Sequence, residues 1–304
     1  MSTARPIHPG ITYLITRRTE RRHCLLRPDP EMNAFITYAL IVSAHRHGIL
    51  LHAFCAMSTH LHYVITDPLG RLPRFLEMFH RLVALGVKIL RKWDGAVWNR
   101  SQTSVVELCT RQAIVEKIAY TLANPVEAGL VWNADEWPGA KTSVNDIGNN
   151  ALEARRPSQY FRAKNPKWAA NAQHWISLPP SIDATDARAF CDDIREELAN
   201  LESAAHSKMP QHKVLGAQRV IKVSPESRTT SHEATRQRNP TFAVGRGDTK
   251  ELRTKAIAAL RSFRAGYRDA LQKWRAGDRS VVFPAGTYAM RVIHGANVDT
   301  PRKK

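Results

Sequence analysis

Two histidines flank one leucine at His60-Leu61-His62, inside the stretch CAMSTHLHYVITD (55–67). On a strand, residues i and i+2 project from the same face, at a separation that lets two imidazoles converge on one cation. The same pattern also describes two surface or hydrogen-bonded histidines, and nothing local supplies a third ligand. A second pair, His45-Arg46-His47, gives an internal contrast. It closes a segment of helical periodicity, where residues two apart point about 200° away from each other and do not share one ion. Further along, Tyr120 and Asn124 are spaced i, i+4 on a predicted helix and so share a face. A phenol is a competent nucleophile when a metal polarises its electrophile, and an amide oxygen can serve the same ion. Two imidazoles plus an amide oxygen would leave positions open for phosphate oxygens on Mg²⁺ or Mn²⁺. Read without context, a tyrosine at this position is in most such helices a core aromatic.

These side chains need elements to hold them. GITYLITRRT (10–19) alternates as a strand, and PEMNAFITYALIVSAHRHG (30–48) carries a helical apolar stripe that ends at Gly48. ILLHAFCAMST and HLHYVITD follow as two strands, and RLPRFLEMFHRLVALGVKILRKW (71–93) is a long amphipathic helix with Arg and Lys opposite its apolar face. SQTSVVEL (101–108) is a further strand, and TRQAIVEKIAYTLANPVEAG (110–129) a last helix, expected to break near Asn124-Pro125. The order βαββαβα predicts an α+β fold, a ferredoxin-like antiparallel sheet with its helices on one face. Beyond about residue 142 the chain reads as a largely helical, basic extension. It has a helical stretch at 186–206, a polar connector over 207–247 and an amphipathic helix over 248–277. The arginines of that last helix suit either DNA or a solvated face.

Composition narrows the class. With 45 Lys and Arg against 27 Asp and Glu, the 304-residue chain has a formal net charge of +18, the signature of a polyanion partner. Residues 1–142 contribute 17 basic and 11 acidic side chains, and the remainder 28 and 16, so two thirds of the excess lies in the second part. Cys24, Cys55, Cys109 and Cys191 are scattered without a C-x-x-C pair, which supports neither a zinc cluster nor a disulfide framework. The N-terminus lacks the apolar core of a signal peptide and no stretch has the length of a membrane span, so a cytoplasmic protein without membrane association is expected.

MSTHLHYVI, followed by YTLANPVEAGLV and EWPGAKTS, resembles the HUH-type single-strand transposases with one catalytic tyrosine, most closely their REP-associated tyrosine transposase branch. ITRRT, LLRPD, RFLEMFH and WNRSQTSVV agree with it, and the resemblance covers about residues 8–143. Two departures stand out: Ser58-Thr59 occupies the place of the family's Pro-Asn, and Glu127 that of an arginine. The resemblance implies a catalytic domain over 1–142 and an extension over 143–304. It implies His60, His62 and Asn124 as ligands of Mg²⁺ or Mn²⁺, and Tyr120 as the nucleophile that forms a 5′-phosphotyrosine with single-stranded, hairpin-bearing DNA. Arg17, Arg18 and, on the long helix, Arg74, Arg81 and Lys88 become candidates for tracking the DNA backbone. Trp93 and Trp98 are either stacking platforms or core residues. A monomer or a homodimer suits this reading. The rival readings are a DNA-binding regulator that no longer cuts and a metal-dependent phosphodiesterase that uses water.

Overall fold

The structure is a computed structural model that describes residues 4–100, 103–229, 240–247 and 249–300. In chain order its elements are β1 (Ile11–Arg18), α1 (Pro30–His47), β2 (Leu50–Met57), β3 (His60–Asp67), α2 (Leu72–Arg91), β4 (Ser104–Leu108) and α3 (Arg111–Glu127). There follow β5 (Ala151–Arg155), β6 (Asn171–Trp175), α4 (Ala187–His206), α5 (Ala217–Val220), β7 (Phe242–Ala243), α6 (Lys250–Arg275), β8 (Val282–Phe283), α7 (Tyr288–His294) and β9 (Asn297–Val298). The first two residues of the expected strand 101–108, and residues 230–239 of the polar connector, lie outside the described residues.

The main sheet has the strand order β2-β3-β1-β4-β7, antiparallel except for the short β7, which runs parallel to β4. Its first four strands have the ferredoxin-like order, so the α+β class is as expected. The helices, however, do not all lie on one face. Tyr63 of β3 packs its ring against Phe75 and Phe79 of α2, whereas the neighbouring His62 meets Tyr120 of α3. Successive strand residues point to opposite faces, so α2 and α3 sandwich the sheet. Apolar side chains line both faces of β3, with Leu61, Tyr63, Val64 and Ile65 all buried, and each face therefore needs a cover.

The helix ends are written locally. The Asp29 carboxylate accepts from the Met32 amide at 3.0 Å, Pro30 occupies the first turn, and Gly48 closes α1 at φ 67°, where a side chain would be strained. At the end of β3 the buried Asp67 carboxylate accepts from the Arg71 and Leu72 amides at 2.9 and 2.6 Å, which fixes the entry of α2. Thr110 caps α3 by accepting from the Ala113 amide at 3.0 Å. The core continues past residue 142. Phe161 packs on Tyr38 and Phe35 of α1, and Phe190 of α4 is buried beside α3, where Arg111 pairs with Asp193. Among the described residues, no helix is long and apolar enough to cross a membrane.

Candidate active site

β1 and β3 pair so that Arg18 lies opposite His60 and Thr16 opposite His62. Directly opposed residues share a face, so one side of the sheet presents all four. The two imidazoles stand edge to face with ring centroids 4.6 Å apart. The Thr59 hydroxyl lies 2.9 Å from His60 Nδ1, and the Thr16 hydroxyl 2.9 Å from His62 Nδ1. Engaging Nδ1 sets each ring's orientation and tautomer and commits the far edge to the space under α3. His62 is only 2% exposed. Burial first, then the positive charges of His60 and Arg18, hold its pKa well below the usual imidazole range. It is therefore neutral at physiological pH, the state in which imidazole binds a cation.

α3 supplies the other half. Tyr120 and Asn124 are one turn apart on the face toward β3. The Tyr120 ring lies 5.2 Å from that of His62 at 83°, and the Lys117 ammonium sits 5.6 Å from the Tyr120 ring centroid. Asn124 Oδ1 is 3.1 Å from His60 Nε2. The expected break before Pro125 does not occur, because the helix continues to Glu127. Proline removes one backbone donor, and so close to the helix end that loss is small. The Ala128 amide still reaches the Asn124 carbonyl at 3.0 Å. Asn124 consequently keeps its helical conformation and its register with Tyr120.

These residues line a cavity of about 690 Å³, rimmed by Arg18, Arg22 and Arg228 and walled on the apolar side by Leu215, Val220 and Val223. Arg22 reaches it from a strained loop, with Arg21 and Arg22 both left-handed at φ 49° and 56°. Such backbone costs about 1–2 kcal/mol per residue and needs outside support. The buried Thr19 hydroxyl gives it, lying 2.7 Å from the His23 carbonyl and 2.9 Å from that of Thr59. Arg228 Nε donates to His23 Nε2 at 2.9 Å, so the connector is tied to the same loop. Glu127, at the position the resemblance gives to arginine, lines the cavity from an exposed place at the end of α3. On the other side of Tyr120, a smaller cavity of about 290 Å³ is lined by Thr16, Arg18, Lys117 and Thr103.

The structure thus brings His60, His62, Tyr120, Asn124 and Arg18 together. It separates the other candidates from them. Arg17 lies opposite Leu61, on the far face of the sheet, with its guanidinium 5.6 Å from the Trp98 ring. Arg74, Arg81 and Lys88 are exposed on α2, the helix that covers that far face. There Arg74 pairs with Glu77 at 3.1 Å, and Lys88 donates to the Asp94 carbonyl at 3.3 Å. Trp98 is half-buried, donating to the His80 carbonyl at 2.8 Å, and Trp93 donates to that of Ala96 at 3.2 Å. His45 turns to the β5–β6 hairpin, where Nε2 lies 2.6 Å from the Gln173 carbonyl. Sequence reasoning missed Thr16, Thr59, Lys117, Arg22 and Arg228. Alternation along β1 from Arg18 would have found Thr16, and i−3 spacing from Tyr120 would have found Lys117. No local signal points to Arg228, which lies far along the chain.

Among the described residues no group of three or more His, Cys, Asp or Glu side chains converges as a cation site. The donor set here is instead two imidazoles and one amide oxygen. The 3.1 Å between His60 Nε2 and Asn124 Oδ1 matches the ~3 Å between adjacent ligands around a small octahedral cation, so the residues fit such an ion.

No protein-family model matches the chain, and no curated protein matches it. Among solved structures it is similar to a REP-associated tyrosine transposase bound to a REP hairpin, with 18% identity, a TM-score of 0.38, and 48% of this chain and 84% of that one covered. It is also similar to a "putative transposase" from Deinococcus radiodurans R1, with 22% identity, a TM-score of 0.28, and 35% of this chain and 85% of that one covered. Function is therefore read from the chain's own chemistry.

Proposed function

We propose that the chain cleaves and rejoins single-stranded DNA by transesterification at Tyr120, with Mg²⁺ or Mn²⁺ held by His60, His62 and Asn124. The observation that carries this reading is a convergence. A strand pair and a helix residue set sixty positions later meet in one cavity, with His62 and Tyr120 rings 5.2 Å apart and His60 3.1 Å from Asn124. When bound, the divalent ion supplies positive charge against a non-bridging oxygen of the scissile phosphate. Arg18, Arg22 and Arg228 hold the flanking phosphates of the strand along the cavity rim. The Tyr120 oxygen attacks phosphorus, the bond to the 3′ oxygen breaks, and the products are a 5′-phosphotyrosine and a 3′-hydroxyl. The phenol loses one proton and the departing oxygen gains one, so the step balances. Lys117 beside the ring favours the phenolate, which at an ordinary pKa of about 10 is otherwise scarce at neutral pH. Because the covalent bond retains the phosphodiester energy, the reverse attack by a 3′-hydroxyl rejoins the strand without ATP. The net charge of +18 supports a DNA partner, and the likeness in motifs to transposases of hairpin-bearing repeats supports a folded single strand as its substrate.

The test is incubation of the protein with labelled single-stranded hairpin DNA and Mn²⁺, followed by denaturing electrophoresis. A denaturant-resistant protein–DNA adduct is expected, absent in Tyr120→Phe and strongly reduced in His60→Ala. Cleavage without an adduct would assign a hydrolytic phosphodiesterase instead. Tight binding without cleavage would assign a regulator.

A further inference from the structure

A third cavity lies on the other side of the sheet from Tyr120, where α2 meets α6 and α7. It has a volume of about 460 Å³, within the range of small-molecule sites. Phe263, Tyr267 and Tyr288 line it, and the Phe263 and Tyr267 rings lie within 27° of parallel at 6.2 Å, presenting flat apolar surface. Arg5 lines the same space from the N-terminal segment, which is pinned by the Ile7 amide donating to the Gly286 carbonyl at 3.0 Å.

The charge in this region is unbalanced. Arg5 is partly buried, and one of its guanidinium nitrogens lies 3.5 Å from the Thr103 carbonyl, a long and weak contact. Burial depresses its pKa, against which Tyr13 raises it and the like charge of Arg264 lowers it. Arg264 has a buried Nε with no hydrogen-bond partner. Neither arginine forms an ion pair with a carboxylate among the described residues. The carboxylate in the lining, Glu77, is engaged by Arg74 at 3.1 Å. A guanidinium drawn out of water with one weak acceptor calls for an anion in the same cavity, and the aromatic wall calls for a flat apolar group attached to it.

We propose that this cavity binds one nucleoside monophosphate unit, its phosphate on Arg5 and its base against Phe263 and Tyr267. Thr103, at the entry to β4, lines both this cavity and the small one beside Tyr120. The two therefore meet at one edge of the sheet, which favours a nucleotide over other phosphorylated aromatics. The assignment is independent of the chemistry at Tyr120, which it does not use.

The probe is the 5′-monophosphate of 2-aminopurine deoxyriboside, whose fluorescence is quenched by stacking. It is titrated into the full-length protein in EDTA, so that no divalent ion takes part. Saturable quenching is expected, weakened at least about tenfold in Arg5→Gln and in Tyr267→Leu and unchanged in Tyr120→Phe. Circular dichroism melts of the two binding variants check that the fold is retained. A single-stranded oligonucleotide carrying one 2-aminopurine separates the two sources of the same chemistry. Tighter binding of the oligonucleotide assigns the cavity to the DNA strand, and equal binding to a free nucleotide. Absence of saturable quenching, an unchanged affinity in Arg5→Gln with the fold intact, or competition by inorganic phosphate or phosphotyrosine as effective as that by the nucleotide would overturn the proposal.

Discussion

At the residue scale, the site depends on hydroxyl groups that carry no chemistry themselves. Thr16 engages His62 Nδ1 at 2.9 Å, so its loss frees a buried ring to turn or change tautomer. Thr16→Val is expected to lower DNA cleavage and Mn²⁺ affinity by about 10- to 100-fold. Its cost in stability should be only about 1 kcal/mol. Mn²⁺ titration alongside a denaturant melt distinguishes the two effects, and equal Mn²⁺ affinity in the variant would contradict the role given to Thr16. On the proposed mechanism Lys117 acts through Tyr120, whose ring centroid is 5.6 Å from its ammonium. Without that cation the phenolate forms at higher pH. Lys117→Met should therefore be slow at neutral pH and recover as pH rises, shifting the ascending limb of the cleavage profile to higher pH. A uniform loss across pH would show that Lys117 serves only to bind DNA. His60, His62, Tyr120 and Asn124 were legible because their types and spacing are rare in combination. Arg17 and Arg18 were not separable by type, since they are identical residues side by side, and only the pairing of β1 with β3 shows that they face opposite ways.

At the element scale, α1 and α2 form the layer behind the site, and their approach turns on Gly86. A Cβ at that position would lie 2.5 Å from the ring of Phe35, which is fully buried and has nowhere to move. Gly86→Ala is expected to cost about 1–3 kcal/mol through overpacking, read as a lowered midpoint in urea with an unchanged slope. A neutral outcome would mean that the two helices can separate more easily than their packing implies. Periodicity in the sequence revealed β1, α1, β2, β3, α2 and α3 because each is long enough to repeat its pattern. It missed the β5–β6 hairpin, whose strands ALEAR and NAQHW bury no residue and lack the apolar run of SVVEL in β4, and β7, whose two residues carry no pattern. The expected break at Pro125 failed for a different reason. Local preference at Asn124 gives way to the tertiary contact of its side chain with His60.

At the scale of the whole molecule, buried histidines tie stability to pH. His52 is fully buried between the Ser177 carbonyl and the Thr66 hydroxyl, and burial holds its pKa at about 4. His80, under the Tyr63 hydroxyl, is held by burial and then by Arg17 at about 3. Each is neutral in the folded state, while the unfolded chain protonates near the ordinary value of about 6.5. Their contribution is complete above that pH and declines as pH falls, by about 1.4 kcal/mol per pH unit for each group, until the folded values are reached. Thermal melts from pH 7 to pH 4 should thus show a steep loss of stability in that window, made shallower in His52→Gln. A flat profile would place these rings in contact with water. Finally, the order of the elements has a consequence for synthesis. His60 and His62 leave the ribosome on β3, but Tyr120 lies on α3, which follows the fourth strand of the sheet. A nascent chain can therefore carry the histidines before the proposed nucleophile has been made. On the proposed mechanism, the residue that would bond to a strand arrives after the four-stranded sheet, and Arg228 of the cavity rim only later still.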